Sequence, residues 1–143
     1  MQLRWIPSRD NELYPGDTIV WVNVEKLSAA WSQEKDSYIM PNNLGDEPSP
    51  KYEKFGVWFA SNYEIIMPCV YTQDERIHFV NGRNRFAWLR DRGVKFLPVT
   101  TELSSSQEVN DRFGTDVRIS EIPTSVVIIN WLIHLSRVFQ PIK

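Results

Sequence analysis

The feature that most constrains the fold is a strand–turn–helix–turn–strand pattern between residues 76 and 100. Arg76–Val80 has the composition of a strand, and the Asn81-Gly82 pair that follows it is typical of a tight turn. Residues 82–92 predict a helix, and Gly93 stands where a glycine commonly ends one. Val94–Thr100 then predicts another strand. A chain with this order has to combine helices with a sheet.

The remaining elements predict an α+β fold, a small mixed sheet with flanking helices. Thr18–Val24, rich in β-branched and aromatic residues, predicts a strand. Ile65–Tyr71 predicts one more strand, which forms a hairpin with Arg76–Val80. Further helices are predicted at residues 25–33, 51–62, 104–113 and 124–139. For the last of these, the run Val126–Ile129 also fits a buried strand, but a helix is favoured.

Length and cysteine content narrow the class of protein. The 143 residues suit a single domain over residues 1–143, which can bury about two-thirds of its unfolded surface. One cysteine, Cys69, excludes an internal disulfide and a cysteine-rich zinc site. The longest apolar-rich segment, Val126–Leu135, is far shorter than the roughly 20 residues that span a bilayer. We therefore expect a soluble, reduced, cytoplasmic protein without a membrane partner.

Charge is segregated along the sequence. The chain carries 16 basic and 18 acidic side chains, a net charge of −2, which disfavours a protein that coats nucleic acid. Arg76–Lys95, however, contains six basic residues and one acid, Asp91, so its net charge is +5 and the rest of the chain carries −7. This distribution predicts a local anion site.

The turn within that stretch has the features of a phosphate site. The first N–H groups of a helix are unpaired and carry a partial positive charge, and a glycine lets a ligand approach the backbone. Two arginines in the first helical turn, Arg83 and Arg85, oppose the helix dipole unless an anion joins them. We predict that Asn81, Gly82, Arg83, Asn84 and Arg85 bind phosphate. The alternative is a plain turn with solvated arginines.

Other candidate residues have both a functional and a structural interpretation. His78, on the strand that enters the turn, fits a general base for catalysis, although a lone strand histidine is commonly structural. Arg90 and Arg92 fit a solvated helix face, or an extension of the phosphate site along a nucleic acid. No metal-ligand or P-loop spacing is present, so no metal site is predicted.

Two apolar features also leave alternatives open. The six tryptophans suit the core, but one or two of them would also suit stacking on a planar ligand such as a base. The Val126–Leu135 run suits the core, or else a subunit interface of a homo-oligomer.

The ordered set of motifs resembles the ParB/sulfiredoxin superfamily. The resemblance rests on the turn and helix Phe79–Trp88 and the proline-containing strand Val94–Val99. Weaker parts fit in the same order at Trp21–Leu27 and Met67–Val70, so the resemblance covers residues 18–100. It implies a ParB/sulfiredoxin-like core there and a C-terminal helical extension over residues 101–143. It also implies that Gly82 and Arg85 bind nucleotide or phosphate.

The departures from the superfamily select a subgroup. Sulfiredoxin-like members have a catalytic cysteine directly after the turn glycine, where this chain has Arg83, so a sulfiredoxin reductase is not expected. Too few residues follow the fold for the helix-turn-helix domain of a partition protein. The chain looks most like plasmid fertility inhibition factors, which restrain conjugative DNA transfer.

That resemblance implies NTPase or DNase activity. A phosphohydrolase of this kind would use ATP or CTP with Mg²⁺, or DNA, with Arg85 and His78 as catalytic residues. Two alternatives stay open: a non-catalytic module that binds a nucleotide, nucleic acid or protein, and an inhibitor that docks on a protein of the conjugation system. The sequence leaves open whether the protein is an enzyme.

Overall fold

The described chain combines five α-helices with six strands, and the predicted α+β class is confirmed. The computed structural model describes residues 1–62 and 64–138. The strands are β1 (Arg4–Ile6), β2 (Asp17–Asn23), β3 (Glu64–Ile66), β4 (Cys69–Gln73), β5 (Arg76–Asn81) and β6 (Phe96–Glu102). The helices are α1 (Val24–Trp31), α2 (Pro50–Phe59), α3 (Arg83–Asp91), α4 (Leu103–Phe113) and α5 (Thr124–Val138), and Pro41–Asn43 forms a 3₁₀ turn.

The larger sheet has the strand order β2-β6-β4-β5. β2 pairs antiparallel with β6 over its whole length, and β6 pairs parallel with β4. β4 and β5 form the predicted hairpin, with Gln73 opposite Arg76. Its two turn residues, Asp74 and Glu75, both have positive φ values, 53° and 65°, as a two-residue hairpin turn of the primed type requires. The hairpin directs the end of β5 toward the start of α3.

One predicted strand is wrong. The run Ile65–Tyr71 is not one strand but two, β3 and β4, which belong to different sheets. The backbone N–H of Met67 still donates to Ile6 of the small sheet, at 2.8 Å, whereas the carbonyl of Pro68 accepts from Thr100 of the large sheet, at 2.9 Å. The chain therefore changes sheets at the Met67-Pro68 step, because a proline has no N–H with which to continue the first ladder.

The small sheet consists of β1 and β3, which pair parallel over three residues each. β1 was not predicted, because three residues carry no measurable periodicity and their partner lies some 60 positions away. This pairing brings the N-terminal segment against the Met67-Pro68 step, next to the end of β5. Both sheets and the first four helices contribute to one apolar cluster, whose largest fully buried side chains include Trp31, Trp88, Tyr52 and Phe86.

The helix prediction for the last apolar run is confirmed as far as Val138; Phe139 lies outside the described residues. Val126 and Val127 are half-buried against the core. The run is nevertheless not a core segment as a whole, because five of its large side chains are about half exposed. These are Ile128, Ile129, Trp131, Leu132 and Ile133. A role of Val126–Leu135 as a homo-oligomer interface stays a prediction. No described helix combines the length and apolar character that crossing a bilayer requires.

Candidate functional site

The turn at Gly82 has a backbone that requires glycine. Its φ is +82°, and a Cβ built there would lie 2.8 Å from Cα of Pro68 and 2.8 Å from the guanidinium of Arg85. Gly82 is also the residue before α3, and within the described chain no side chain caps the free N–H groups of that helix. The turn therefore packs on the sheet-changing step and presents uncapped backbone donors beside an arginine.

Arg85 is half-buried, and no carboxylate among the described residues forms an ion pair with its guanidinium. Its Nε donates to the carbonyl of Ile66 at 3.0 Å, and Nη2 lies 3.4 Å from Oδ1 of Asn81. Burial lowers the pKa of the Arg85 guanidinium below its ordinary value, and the neighbouring charge of Arg9 lowers it further. Two like charges held together in a partly buried place are unfavourable, and an anion would relieve the repulsion.

The turn forms one wall of a cleft with a volume of about 1170 Å³. The other walls are β1 with the residues after it, α2, and the start of β3. Six basic side chains and one acid line the cleft, so its net charge is +5; they are Arg4, Arg9, Lys51, Lys54, Arg83, Arg85 and Glu64. We call the six basic residues the cleft cations. A concave surface of this charge attracts polyanions and retains their phosphate groups.

Four of the six cleft cations were missed by the sequence prediction. Lys51 and Lys54 lie three residues apart on α2, so their shared face could have been recognised from helical spacing. Arg4 and Arg9 had no comparable signal, because they reach the cleft only through the pairing of β1 with β3. The cleft has the same net charge as the Arg76–Lys95 stretch, but only Arg83 and Arg85 belong to both.

The other predicted phosphate-binding residues also line the cleft, but some of their groups are already used. Asn81 is exposed at the end of β5 and contacts Arg85. Arg83 donates to the carbonyl of Ser37 at 2.7 Å, which leaves part of its guanidinium for a ligand. Asn84 accepts a hydrogen bond from Ser49 at 2.6 Å. It thereby holds the loop before α2 against α3, and this loop positions the lysines of α2.

The interpretation of Arg90 and Arg92 as a solvated face, or as an extension of the site, is wrong. The Arg90 side chain is only 10% exposed; it pairs with Asp91 at 2.9 Å and donates to the carbonyl of Ile39 at 2.9 Å. Arg92 donates to the hydroxyl of Tyr52 at 2.6 Å and lies over the ring of Trp88 at 4.3 Å. Arg90 is directed toward the loop at Ile39 and Arg92 toward Tyr52 of α2, so neither arginine lines the cleft.

Arg76 is likewise engaged, at the far end of β5. Its guanidinium forms two hydrogen bonds to the carboxylate of Glu34, at 2.6 and 2.7 Å. The hydrogen bonds from Arg76 lower the pKa of the Glu34 carboxyl below its ordinary value. We call Arg76, Arg90 and Arg92 the anchored arginines, since each bonds to a carboxylate or hydroxyl side chain and lies outside the cleft.

The structure does not bring His78 to the cleft. Its ring stacks on Tyr71 of β4, with the centroids 5.0 Å apart, and its neighbour Phe79 is the residue that lines the cleft. The residues of β5 that line the cleft are those at its C-terminal end, Phe79–Asn81, and His78 precedes them. Glu64 is the acid that lines the cleft, whereas Glu25, at the start of α1, lines a separate pocket. Among residues 1–62 and 64–138, no three histidine, cysteine or acidic side chains cluster as metal ligands would.

Comparisons with known proteins identify relatives of this chain. The model of a family described as "Plasmid Fertility inhibition factor" matches residues 19–114, which are 96 of the 143 residues. No curated protein matches the sequence. A solved structure, the gold(I) cyanide derivative of oncogenic suppression activity protein, a plasmid fertility inhibition factor, has a similar fold with a TM-score of 0.64. Its sequence is 20% identical, and the match covers 90% of this chain and 75% of that one.

Proposed function

The chain belongs to the plasmid fertility inhibition factor family, and we propose that it acts by binding the phosphate groups of a nucleotide or of DNA at the Gly82–Arg85 turn. The observation that carries this proposal is Arg85, a half-buried guanidinium that is repelled by the neighbouring charge of Arg9 and bonds only to uncharged oxygens within the described chain. A phosphate there would accept hydrogen bonds from Arg85 and from the N–H groups at the start of α3. The same proposal includes a relationship to the ParB/sulfiredoxin superfamily, whose members bind phosphate at a turn of this kind.

The cleft supports the choice of a ligand with several phosphates. Its six basic side chains come from three separate segments, so a single inorganic phosphate could contact only some of them. ATP, CTP or a DNA strand has enough negative charge to engage the turn together with the lysines of α2. The same proposal includes a biological role: the protein would restrain conjugative transfer of DNA in the cytoplasm, together with plasmid-related partners.

Two functions of the cleft are compatible with this ligand. In a phosphohydrolase, Arg85 would stabilise charge on the transferred or cleaved phosphate, and Glu64, the acid of the cleft, would orient water or Mg²⁺. In a binding module, the same cations would hold the phosphate without turnover. His78 stacks on Tyr71 and does not line the cleft, which favours the module, because the predicted general base is then not beside a ligand at the turn.

One experiment separates these functions. The purified chain is incubated with ATP, CTP or plasmid DNA in the presence of Mg²⁺, and both binding and product formation are measured for the wild type, Arg85→Ala and His78→Ala. Turnover that Arg85→Ala abolishes supports the phosphohydrolase, and binding without turnover supports the module. Arg118→Ala, an exposed arginine outside the cleft, is the matched control. The phosphate site is excluded if Arg85→Ala binds every ligand as the wild type does.

A further inference from the structure

We propose that Trp58 is a base-stacking residue of the cleft, so that the ligand is a nucleotide unit whose base is unpaired. This inference rests on the proposed phosphate site and adds the part of the ligand that phosphate contacts cannot recognise. The ligand would be held at two points, with its phosphates on the cleft cations and its base on the indole ring.

The exposure of Trp58 sets it apart from the other tryptophans of the core. Trp31 and Trp88 are fully buried, whereas Trp58 is 39% exposed and lines the cleft. Of the three aromatic side chains among the described residues of the cleft wall, Phe55 is buried, and Phe79 packs against Trp31 with centroids 4.7 Å apart. Trp58 is therefore the ring whose surface is available to a ligand.

A packing contact holds the indole ring in position. Phe55 lies against Trp58 with centroids 5.6 Å apart and the two planes inclined by 30°. This contact covers one face of the indole and leaves exposed surface toward the cleft. A preoriented ring loses little conformational freedom when a base stacks on it, so more of the stacking energy contributes to affinity.

Two cations and one aromatic ring share the cleft face of α2. Lys51, Lys54 and Trp58 occupy positions i, i+3 and i+7, so they lie on one face of the helix, and all three line the cleft. Proteins that bind single strands use this combination, with cations along the backbone and aromatic rings under the bases. The cleft volume of about 1170 Å³ exceeds the roughly 300–1,000 Å³ of pockets for drug-sized molecules, so it can hold a base together with its phosphates.

Stacking on Trp58 requires a base that is not already stacked and paired in a duplex. A base inside double-stranded DNA has to be flipped out before a side chain can reach its face, which costs a few kcal/mol. The geometry thus points to free nucleotides or single-stranded DNA, which share the same chemistry at this site. Duplex DNA of equal charge would bind through the cations alone.

The test measures affinities at low salt for inorganic triphosphate, ATP, a 20-residue oligo(dT) and a hairpin duplex with about the same number of phosphates, whose ten-base-pair stem is closed by a linker that carries no base. The variants are Trp58→Ala, Trp58→Phe, Arg85→Ala and the control Trp131→Ala, which removes a tryptophan of similar exposure on α5. The unfolding temperature of each variant verifies that it is folded. Using a probe without a base separates the stacking contribution from the phosphate contribution.

The expected result is selective. Trp58→Ala should weaken the binding of ATP and oligo(dT) by about 5- to 100-fold, since stacking on one aromatic residue contributes on that scale. Its affinity for inorganic triphosphate should stay within about twofold of the wild type, and Trp58→Phe should restore most of the loss. The preference for oligo(dT) over the hairpin should disappear in Trp58→Ala and persist in Trp131→Ala.

Several outcomes would overturn the inference. It fails if Trp58→Ala weakens triphosphate as much as ATP, because the ring would then only support the cleft wall. It also fails if ATP binding is unchanged, or if the hairpin binds as tightly as oligo(dT) to the wild type. A failure of the phosphate site itself looks different: Arg85→Ala would then bind triphosphate like the wild type.

Discussion

Arg85 and Arg90 lie five positions apart on α3, and both are at least half-buried, yet only one of them has a counter-charge within the described chain. Arg90 has the carboxylate of Asp91 at 2.9 Å. Arg85 has the carbonyl of Ile66 and the repulsion of Arg9. The number of arginines in a segment therefore does not measure its capacity to bind an anion. What matters is which of the charges lack a counter-charge within the fold.

The first prediction tests Arg90, the arginine paired with Asp91, and it has the largest expected effect on stability. Arg90→Met should lower the free energy of unfolding by about 3–5 kcal/mol, because it leaves the carboxylate of Asp91 buried without its cation. Urea unfolding measures the loss, with Arg118→Met as the control for removing an exposed arginine. Triphosphate affinity of the folded variant should be unchanged. A loss below 1 kcal/mol would show that Arg90 is not anchored as described.

The second prediction tests the turn that carries Arg85. Gly82→Ala should lower the free energy of unfolding by about 1–3 kcal/mol and weaken anion binding, because the residue has a positive φ and its Cβ would collide with Pro68 and Arg85. Gly93→Ala is a closely matched control, since Gly93 has a φ of +87° but no atom within 4 Å of the added Cβ. The difference between the unfolding free energies lost in the two variants measures the cost of the contact of the new Cβ with Pro68 and Arg85. Equal losses together with unchanged anion binding would contradict the prediction.

The third prediction tests Arg85, the arginine without a counter-charge among the described residues. Arg85→Met should change the free energy of unfolding by at most about 1 kcal/mol, because the lost hydrogen bond to Ile66 is offset by relief of burial and of repulsion from Arg9. Thermal unfolding with and without inorganic triphosphate measures both properties. The anion should raise the unfolding temperature of the wild type by a few degrees and that of the variant by less. Equal shifts would assign the anion to another site.

The smallest expected effect concerns Arg76, the most exposed of the anchored arginines. Its carboxylate partner, Glu34, has a pKa below the ordinary value of 4.5, so the pair stabilises the fold fully above that pH and less as the pH falls through the lower, folded value. The urea midpoint of the wild type should therefore drop more steeply below pH 4.5 than that of Arg76→Met. Parallel curves from pH 7 to pH 3 would show that the pair contributes nothing.

Local sequence signals predicted those parts of the fold that depend on neighbouring residues. The hairpin, α3 and the glycines at its two ends follow from turn chemistry and helical spacing, and the structure places Gly82 and Gly93 in the expected conformation. The structure shows that Gly82 and Arg85 line one cleft, and the binding of phosphate there stays a prediction. For α5 the helix was favoured correctly, although the sequence could not tell that much of it would be exposed.

The missed features depend on contacts between distant segments. β1 has no periodicity of its own, and the break at Met67-Pro68 becomes visible only when two separate sheets compete for the same run. The charges of the Arg76–Lys95 stretch are not the charges of the cleft, for a related reason. Arg76 lies at the opposite end of β5 from the turn, and α3 rotates Arg90 inward, so neither charge reaches the cleft. A linear charge count contains neither fact.

The parallel pairing of β1 with β3 also affects how members of this family should be compared. Arg4 and Arg9 reach the cleft through that pairing, yet both precede the region that the family model matches. A homologue whose similarity is confined to the matched region would have no aligned counterparts of Arg4 and Arg9, two of the six cleft cations. Ligand preference within the family can thus diverge through the N-terminal segment alone, and transferring a binding property between members requires aligning that segment as well.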